Sequence, residues 1–283
     1  MMADANENRL QSKLVVVATP IGNLGDMTYR GVEALKAADV IACEDKRVSR
    51  VLLQHYGITT PMMSYHEHNA ASQREVILQR LQAGETVALI TDAGTPLISD
   101  PGYKLVRDVR EAGYGVEPLP GACAAVVAMS GAGLPSDCFF FAGFLPNKQQ
   151  AREQRLKALL KRQETVLCYE SPKRIVATLE QVAQLAPERD ICVARELTKR
   201  HEEWLNGTAA EIAQTLSARE QVRGEIVLLL APAEEDVPQA EDVDALLKRL
   251  LAEYSVKEAA KEAAEQTGLS RSELYNRALE LRG

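Results

Sequence analysis

Val87-Ala88-Leu89-Ile90 runs directly into Thr91-Asp92-Ala93-Gly94-Thr95-Pro96-Leu97-Ile98-Ser99-Asp100-Pro101-Gly102. The first four residues form an apolar run of strand length. The segment after them holds Gly and Pro at the spacing of a turn. A buried strand opening into such a turn is the repeating unit of an α/β sheet, whose ligands lie beyond the carboxyl ends of the strands. The unit recurs on both sides. Residues 14–18 (Leu-Val-Val-Val-Ala) end in Thr19-Pro20-Ile21-Gly22-Asn23-Leu24-Gly25-Asp26, and residues 115–118 lead into Leu119-Pro120-Gly121-Ala122-Cys123-Ala124. Gly and Ala let backbone approach a ligand closely. Pro stiffens the turn and reduces the entropy lost on binding. Three turns at equivalent positions point to one shared pocket.

Residues 28–38, 48–56, 72–83 and 104–112 carry apolar residues at helical spacing, and Gly57, Gly84 and Gly113 close the last three. Residues 40–43 are another strand. Strands alternating with helices predict a mostly parallel α/β unit over residues 1–118. From Pro120 the pattern changes. Residues 122–129 are a helix of small residues, 139–144 a strand, 148–162 a charged helix and 175–185 a further helix. Strands follow at 165–169, 191–195 and 225–230. These predict a second, strand-richer α/β unit over 119–231. Residues 232–241 are acidic with two prolines and read as a linker. Residues 242–283 hold three helical patterns (243–252, 256–266, 270–281), with Ser255 and Ser270 as N-caps. The turn at Gly268 makes this unit helix-turn-helix-like, although a helical cap or dimer-contact module fits the same pattern.

The chain of 283 residues carries 40 acidic and 33 basic residues, a net charge of −7. That balance argues against a protein that coats nucleic acid non-specifically. The charge is segregated. Residues 234–283 hold 12 acidic and seven basic residues, whereas 148–174 hold eight basic and three acidic ones. The N-terminal 13 residues are polar and lack a signal-peptide pattern, and no stretch reaches the roughly 20 apolar residues of a membrane span. The five cysteines form no CxxC pair and read as reduced residues of a cytoplasmic protein. His66 and His68 read as an exposed loop pair, so no metal is expected.

The runs ATPIGNLGDMT, EDKR, TDAGTPLISDPG, PGACA, YESPKR and RELTK resemble the tetrapyrrole methylase superfamily. Within it the chain looks like the branch that methylates a ribose 2′-hydroxyl of small-subunit ribosomal RNA. The resemblance spans about residues 13–231, and the C-terminal helices are similar to that branch's helical extension. It implies two α/β units with an S-adenosyl-L-methionine cleft between them. The cofactor positions it implies are Pro20, Asp92, Gly94, Thr95, Pro96, Ile98, Gly121, Ala122, Cys123, Ala124, Tyr169, Ala194, Gly224 and Glu225. Thr95 stands where the superfamily has an Asp, with Asp92 nearby to compensate. Lys46 replaces the Thr expected after the Glu-Asp pair. The resemblance also implies a homodimer.

For a methyl transfer to a ribose hydroxyl, positioning and proton removal are the protein's tasks. Asp45 and Glu170, at strand ends, are candidates to accept or orient the proton, and Lys173 to offset the developing oxyanion. Arg47, Arg50, Lys148, Arg152, Arg155, Arg174, Lys199 and Arg200 are candidate phosphate contacts. The substrate implied is a cytidine of small-subunit ribosomal RNA near the decoding centre, free or in the assembled subunit. A tetrapyrrole C-methyltransferase and a non-enzymatic nucleic-acid-binding regulator are the alternatives. The basic segment and helical tail favour RNA over a porphyrin, and the long pocket-forming turns favour an enzyme over a regulator.

Overall fold

The computed structural model describes residues 12–100, 102–233 and 240–282. The polar N-terminal stretch and most of the acidic linker lie outside them. Two compact units result, one ending at Ala233 and the other beginning at Glu234.

The first unit holds two five-stranded sheets. In the first sheet β1 (Lys13–Val16), β2 (Val40–Cys43), β3 (Met62–Ser64), β4 (Val87–Leu89) and β5 (Gly115–Pro118) run parallel in the order β3-β2-β4-β1-β5. The central strands are buried on both faces because their residues alternate between two apolar layers. Leu14, Val16, Val40, Ala42, Val87 and Leu89 pack on one side with Ile77 and Leu81 of helix α3 (Ala70–Gln82) and Leu105 and Val109 of helix α4 (Tyr103–Glu111). Val15, Ile41, Cys43 and Ala88 pack on the other with Val32 and Leu35 of helix α1 (Tyr29–Ala37) and Leu53 of helix α2 (Lys46–His55). Thr28 caps α1, accepting from Gly31 N–H at 3.0 Å.

The second sheet has the order β6-β7-β10-β8-β9, built from β6 (Phe139–Phe144), β7 (Thr165–Glu170), β8 (Asp190–Arg195), β9 (Glu203–Thr208) and β10 (Ile226–Leu230). Only β6 and β7 pair in parallel; the other pairs are antiparallel. Helices α6 (Gln149–Leu159), α7 (Ile175–Leu185) and α8 (Ala209–Ser217) cover one face. The small-residue helix α5 (Ala124–Gly131) covers the other, packing Ala125, Ala128 and Met129 on Leu167, Cys192, Ala194 and Val227. Its small side chains are required by closeness: a Cβ at Gly131 would stand 2.5 Å from the Trp204 ring. Ile21, from the turn after β1, joins this same layer and ties the two sheets together.

β3, β9 and α8 are additions to the sequence reading. β3 has three residues, and β9 is a half-buried edge strand interrupted by Asn206-Gly207, so neither has the apolar run of an inner strand.

The second unit packs α9 (Ala240–Leu251), α10 (Val256–Thr267) and α11 (Arg271–Arg282) around Val243, Leu247, Ala259, Ala263, Leu274 and Ala278. Ser255 and Glu258 form a capping box, and Gly268 ends α10 at φ +71°, the left-handed position that glycine adopts readily. Arg277 pairs with both oxygens of Asp244 at 2.8 and 2.7 Å. No helix among the described residues is long and apolar enough to cross a membrane.

Candidate active site

The carboxyl ends of the first sheet supply one wall of the site. In sheet order, the strands deliver Tyr65-His66, Glu44-Asp45, Thr91-Asp92, Pro20-Ile21 and Leu119-Pro120 to the same edge. Backbone bonds lock the three turns to one another. Thr19 N–H donates to Gly94 O at 2.9 Å, and Gly94 N–H to Thr19 O at 3.0 Å. The Thr19 hydroxyl donates to Thr91 O at 3.0 Å, and the Thr95 hydroxyl to Ala122 O at 2.9 Å. Thr95 thus joins the second turn to the third. Gly94 has φ +83°, and Leu97 and Ser99 are also left-handed, at 74° and 65°; non-glycine residues held there store strain, a frequent mark of ligand-binding turns.

These turns face the second sheet across a cavity of about 410 Å³, within the range of small-molecule sites. Asp92, Gly94, Thr95, Ile98, Cys123, Ala124, Tyr169, Glu170, Ala194, Gly224 and Glu225 line it. Pro20, Pro96, Gly121 and Ala122 do not. Pro20 precedes the lining Ile21, Pro96 is buried beneath the turn, and Ala122 receives the Thr95 hydroxyl. Gly121 sits so close to Ala18 that a Cβ there would stand 2.5 Å from the alanine's Cβ.

The motif reading passed over Ile21, Glu44, Asp100, Phe144 and Leu197, which also line the cavity. Glu44 directly precedes Asp45, so the strand-end logic that selected Asp45 covers it equally, and Asp100 lies in the same turn as Asp92.

The cavity is acidic on the first-sheet side. Burial pushes the Glu44, Asp92 and Asp100 carboxyls above the ordinary range. Mutual repulsion adds to this, and the Thr91 hydroxyl on Asp100 and the Asp45 N–H on Asp92 oppose it. The opposite wall is aromatic and apolar. Tyr169 packs edge-on against Phe141 and Phe144, at ring distances of 4.9 and 5.4 Å, and burial pushes its hydroxyl up to about 12.

Glu170, at the end of β7, is buried and lines the cavity. Its Oε1 accepts from Ser171 N–H at 2.9 Å and from Arg174 Nε at 2.7 Å. Its Oε2 is buried without a protein partner. An unsatisfied buried carboxylate oxygen is costly, and beside a cavity it marks a place for a ligand's donor.

Asp45 requires a correction. It caps α2, accepting from Arg47 N–H at 2.8 Å and Arg47 Nη2 at 2.7 Å. These hydrogen bonds hold its carboxyl at about 2, and it is absent from the cavity lining. Lys173 is exposed, one residue beyond the lining Pro172.

The basic set also divides. Arg152 is a correction: it is buried beneath α6, its Nε on Gln181 Oε1 at 2.8 Å. The residue falls on the inner face of a helix whose charge density masks its amphipathicity. Arg174 is engaged by Glu170, Ser171 and Asn147. Lys199 pairs with Glu196 at 2.8 Å and Glu225 at 2.9 Å. Arg47, Arg50, Lys148, Arg155 and Arg200 are exposed, with Arg47 also held by Asp45.

The turn carrying Lys199 is wedged between the halves. Glu196 and Thr198 adopt φ of 53° and 65°. Any Cβ at Gly22 would collide with Lys199 and Thr198, and one at Gly224 with Glu196.

Residues 13–213 match the model of the Tetrapyrrole (Corrin/Porphyrin) Methylases, and 237–282 that of the RsmI C-terminal HTH domain. A ribosomal RNA small subunit methyltransferase I from Mesorhizobium japonicum is 48% identical over 274 residues, covering 96% of this chain and 93% of the relative. The chain belongs to the ribosomal RNA small subunit methyltransferase I family of tetrapyrrole methylases. The family member from Escherichia coli O157:H7 is 46% identical, covering 96% of both chains. Among solved structures, the tetrapyrrole methylase fold recurs in cobalt precorrin-4 methyltransferase CbiF, with a TM-score of 0.60 at 15% identity over 80% of this chain and 96% of that one. It recurs in uroporphyrin-III C-methyltransferase from Thermus thermophilus, a structure complexed with S-adenosylhomocysteine, with a TM-score of 0.55 at 17% identity over 78% and 97% of the chains. At these identities the likeness concerns the fold alone.

Proposed function

We propose that this chain transfers the methyl group of S-adenosyl-L-methionine to small-subunit ribosomal RNA, on the ribose 2′-hydroxyl of a cytidine near the decoding centre. Similarity over nearly the full length, through the C-terminal helices, to relatives named for ribosomal RNA methylation carries this reading. The 2′-hydroxyl, the cytidine and the decoding centre follow from the branch that the motifs resemble.

The cavity suits the cofactor's two chemical characters. Ile21, Ala194, Leu197 and Val227 offer apolar surface to an adenosine, and Asp92 and Asp100 face a cationic ligand with negative charge. S-adenosyl-L-methionine supplies a methyl group activated by its positive sulfur. Glu170 Oε2 accepts a hydrogen bond from the substrate and orients it. Arg174, 2.7 Å from its other oxygen, holds that side chain in place. Lys173, exposed beside the cavity mouth, offsets negative charge on the RNA. Arg47, Arg50, Lys148, Arg155 and Arg200 contact phosphates, and the fixed strands and locked turns hold the reacting groups in register.

The enzyme acts in the cytoplasm, as a homodimer, on the RNA or the assembled subunit. Calorimetric titration of S-adenosyl-L-methionine tests the cofactor reading. Methyl transfer to purified small ribosomal subunits, measured beside transfer to uroporphyrinogen, tests the substrate. Methylation of the porphyrinogen alone would overturn the RNA reading.

A further inference from the structure

We infer that Glu44 takes the proton from the attacking ribose hydroxyl and that His66 is the residue that positions it. The inference rests on the 2′-hydroxyl reading above. Glu44 leaves β2 at the cavity wall, and His66 leaves the neighbouring strand β3. The β2–β3 ladder continues past its last pair, Cys43 with Ser64, through Tyr65 N–H to Cys43 O at 2.8 Å. In that register Glu44 falls opposite Tyr65, and His66 follows Tyr65 at the same carboxyl edge of the sheet.

The carboxylates at this edge differ in what they are free to do. Asp45 caps a helix. Asp92 Oδ1 accepts from Asp45 N–H at 3.1 Å, and Asp100 Oδ2 accepts from the Thr91 hydroxyl at 2.9 Å. Glu44 lines the cavity and carries no hydrogen bond or ion pair among the described residues. Beside it, His66 Nδ1 is buried without a partner, so the imidazole has a ring nitrogen left for the carboxylate or for the substrate held by it.

The electrostatics agree with the geometry. The groups acting on Glu44 are Asp92, Asp100, Asp45 and His66. Burial and the three aspartates raise its affinity for a proton, and His66 lowers it. A carboxylate raised toward the operating pH is the stronger base. Asp45, held at about 2 by Arg47, is a weak one, and Glu170, tied through Oε1 to Arg174, keeps Oε2 for orienting the substrate.

In the step, the proton leaves the hydroxyl for a Glu44 oxygen as the new carbon–oxygen bond forms. The electron pair of the carbon–sulfur bond stays with sulfur. Glu44 is left as a neutral acid and returns the proton to solvent, so no further reactant is needed.

The test is single-turnover methyl transfer to small ribosomal subunits by the full chain from about pH 5 to pH 9, with S-adenosyl-L-methionine affinity measured by calorimetry. For Glu44→Gln the expected result is a rate at least ~100-fold lower, the scale of a lost general base. Cofactor affinity is unchanged, and the acidic limb of the pH profile is gone. Glu44→Asp keeps the limb at a reduced rate. His66→Ala moves the limb to higher pH, which a merely structural histidine would not do. A Glu44→Gln rate within about threefold of wild type overturns the inference, as does a slow variant that keeps its acidic limb. Loss of cofactor affinity in both Glu44 variants also overturns it. The nucleoside product separates the two levels. A 2′-O-methyl product with a fast Glu44→Gln removes the inference alone. A base-methylated product removes the reading beneath it as well.

Discussion

Thr19 and Gly94 exchange both of their backbone hydrogen bonds as an isolated antiparallel bridge between turns that follow parallel strands. The bridge fixes the turn after β4 against the turn after β1, and Gly94 must take a left-handed φ to make it. Thr95 extends the clamp to the third turn through Ala122. The three turns are therefore tied to one another where they border the cavity.

Gly94→Ala tests that rigidity. The left-handed conformation costs a residue with a Cβ about 1–2 kcal/mol, and the new Cβ would lie 3.3 Å from Ile21 Cγ2. The expected outcome is a loss of roughly tenfold in S-adenosyl-L-methionine affinity by calorimetry, with far-ultraviolet circular dichroism unchanged.

Arg152 and Arg155 lie on the same helix and part ways on charge reversal. Arg152→Glu buries an uncompensated carboxylate against Gln181, with an expected cost of about 3 kcal/mol or more in denaturant unfolding. Arg155 is exposed. Arg155→Glu leaves unfolding unchanged, weakens RNA binding and lowers the salt slope by about one unit.

Glu203 joins β9 to the rest of the second half through Arg195 at 2.8 Å and Arg219 at 2.6 Å. The Arg219 hydrogen bond, with Arg195, holds its carboxyl at about 2, below the ordinary 4.5. A depressed carboxyl contributes stability that is fully present above its unfolded value and lost as pH falls through the folded one. Thermal melts of wild type and Glu203→Gln are therefore expected to differ at pH 7 and to converge between 4.5 and about 2.

Glu44, Asp92 and Asp100 work in the opposite sense. Their raised values mean that their ionised forms weaken the fold, so the stability that they contribute fades as pH rises through the folded value. Asp100→Asn is expected to raise the melting temperature at pH 8 relative to pH 4, checked by the same melts, while lowering cofactor affinity. A stable and weakly binding variant is the usual exchange at a strained site.

The inner strands β1, β2 and β4 of the first sheet were legible because they are continuous apolar runs and the turns after β1 and β4 carry Gly and Pro. Both signals are local. β3 and β9 were not, because each is an edge element whose pairing partner supplies most of its definition. At the site, the turn that holds Asp92, Gly94 and Thr95 was readable from its position after a strand, and the resemblance singled out those residues within it. Ile21 and Leu197 were not, because they reach the cavity by packing between the sheets, a relationship carried by tertiary contacts. Arg152 and Asp45 show the limit of reading charge as surface function: one is turned inward by helix periodicity, the other consumed by a helix cap.

The reaction proposed for this cleft is methyl transfer to a ribose hydroxyl of small-subunit ribosomal RNA. The direct measurement incubates the full chain with isotopically labelled S-adenosyl-L-methionine and small ribosomal subunits from cells lacking the activity. The RNA is then digested to nucleosides for mass spectrometry. The expected result is label in 2′-O-methylcytidine. Label in a base-methylated nucleoside, or no label in RNA from a chain shown to bind the cofactor, would contradict it.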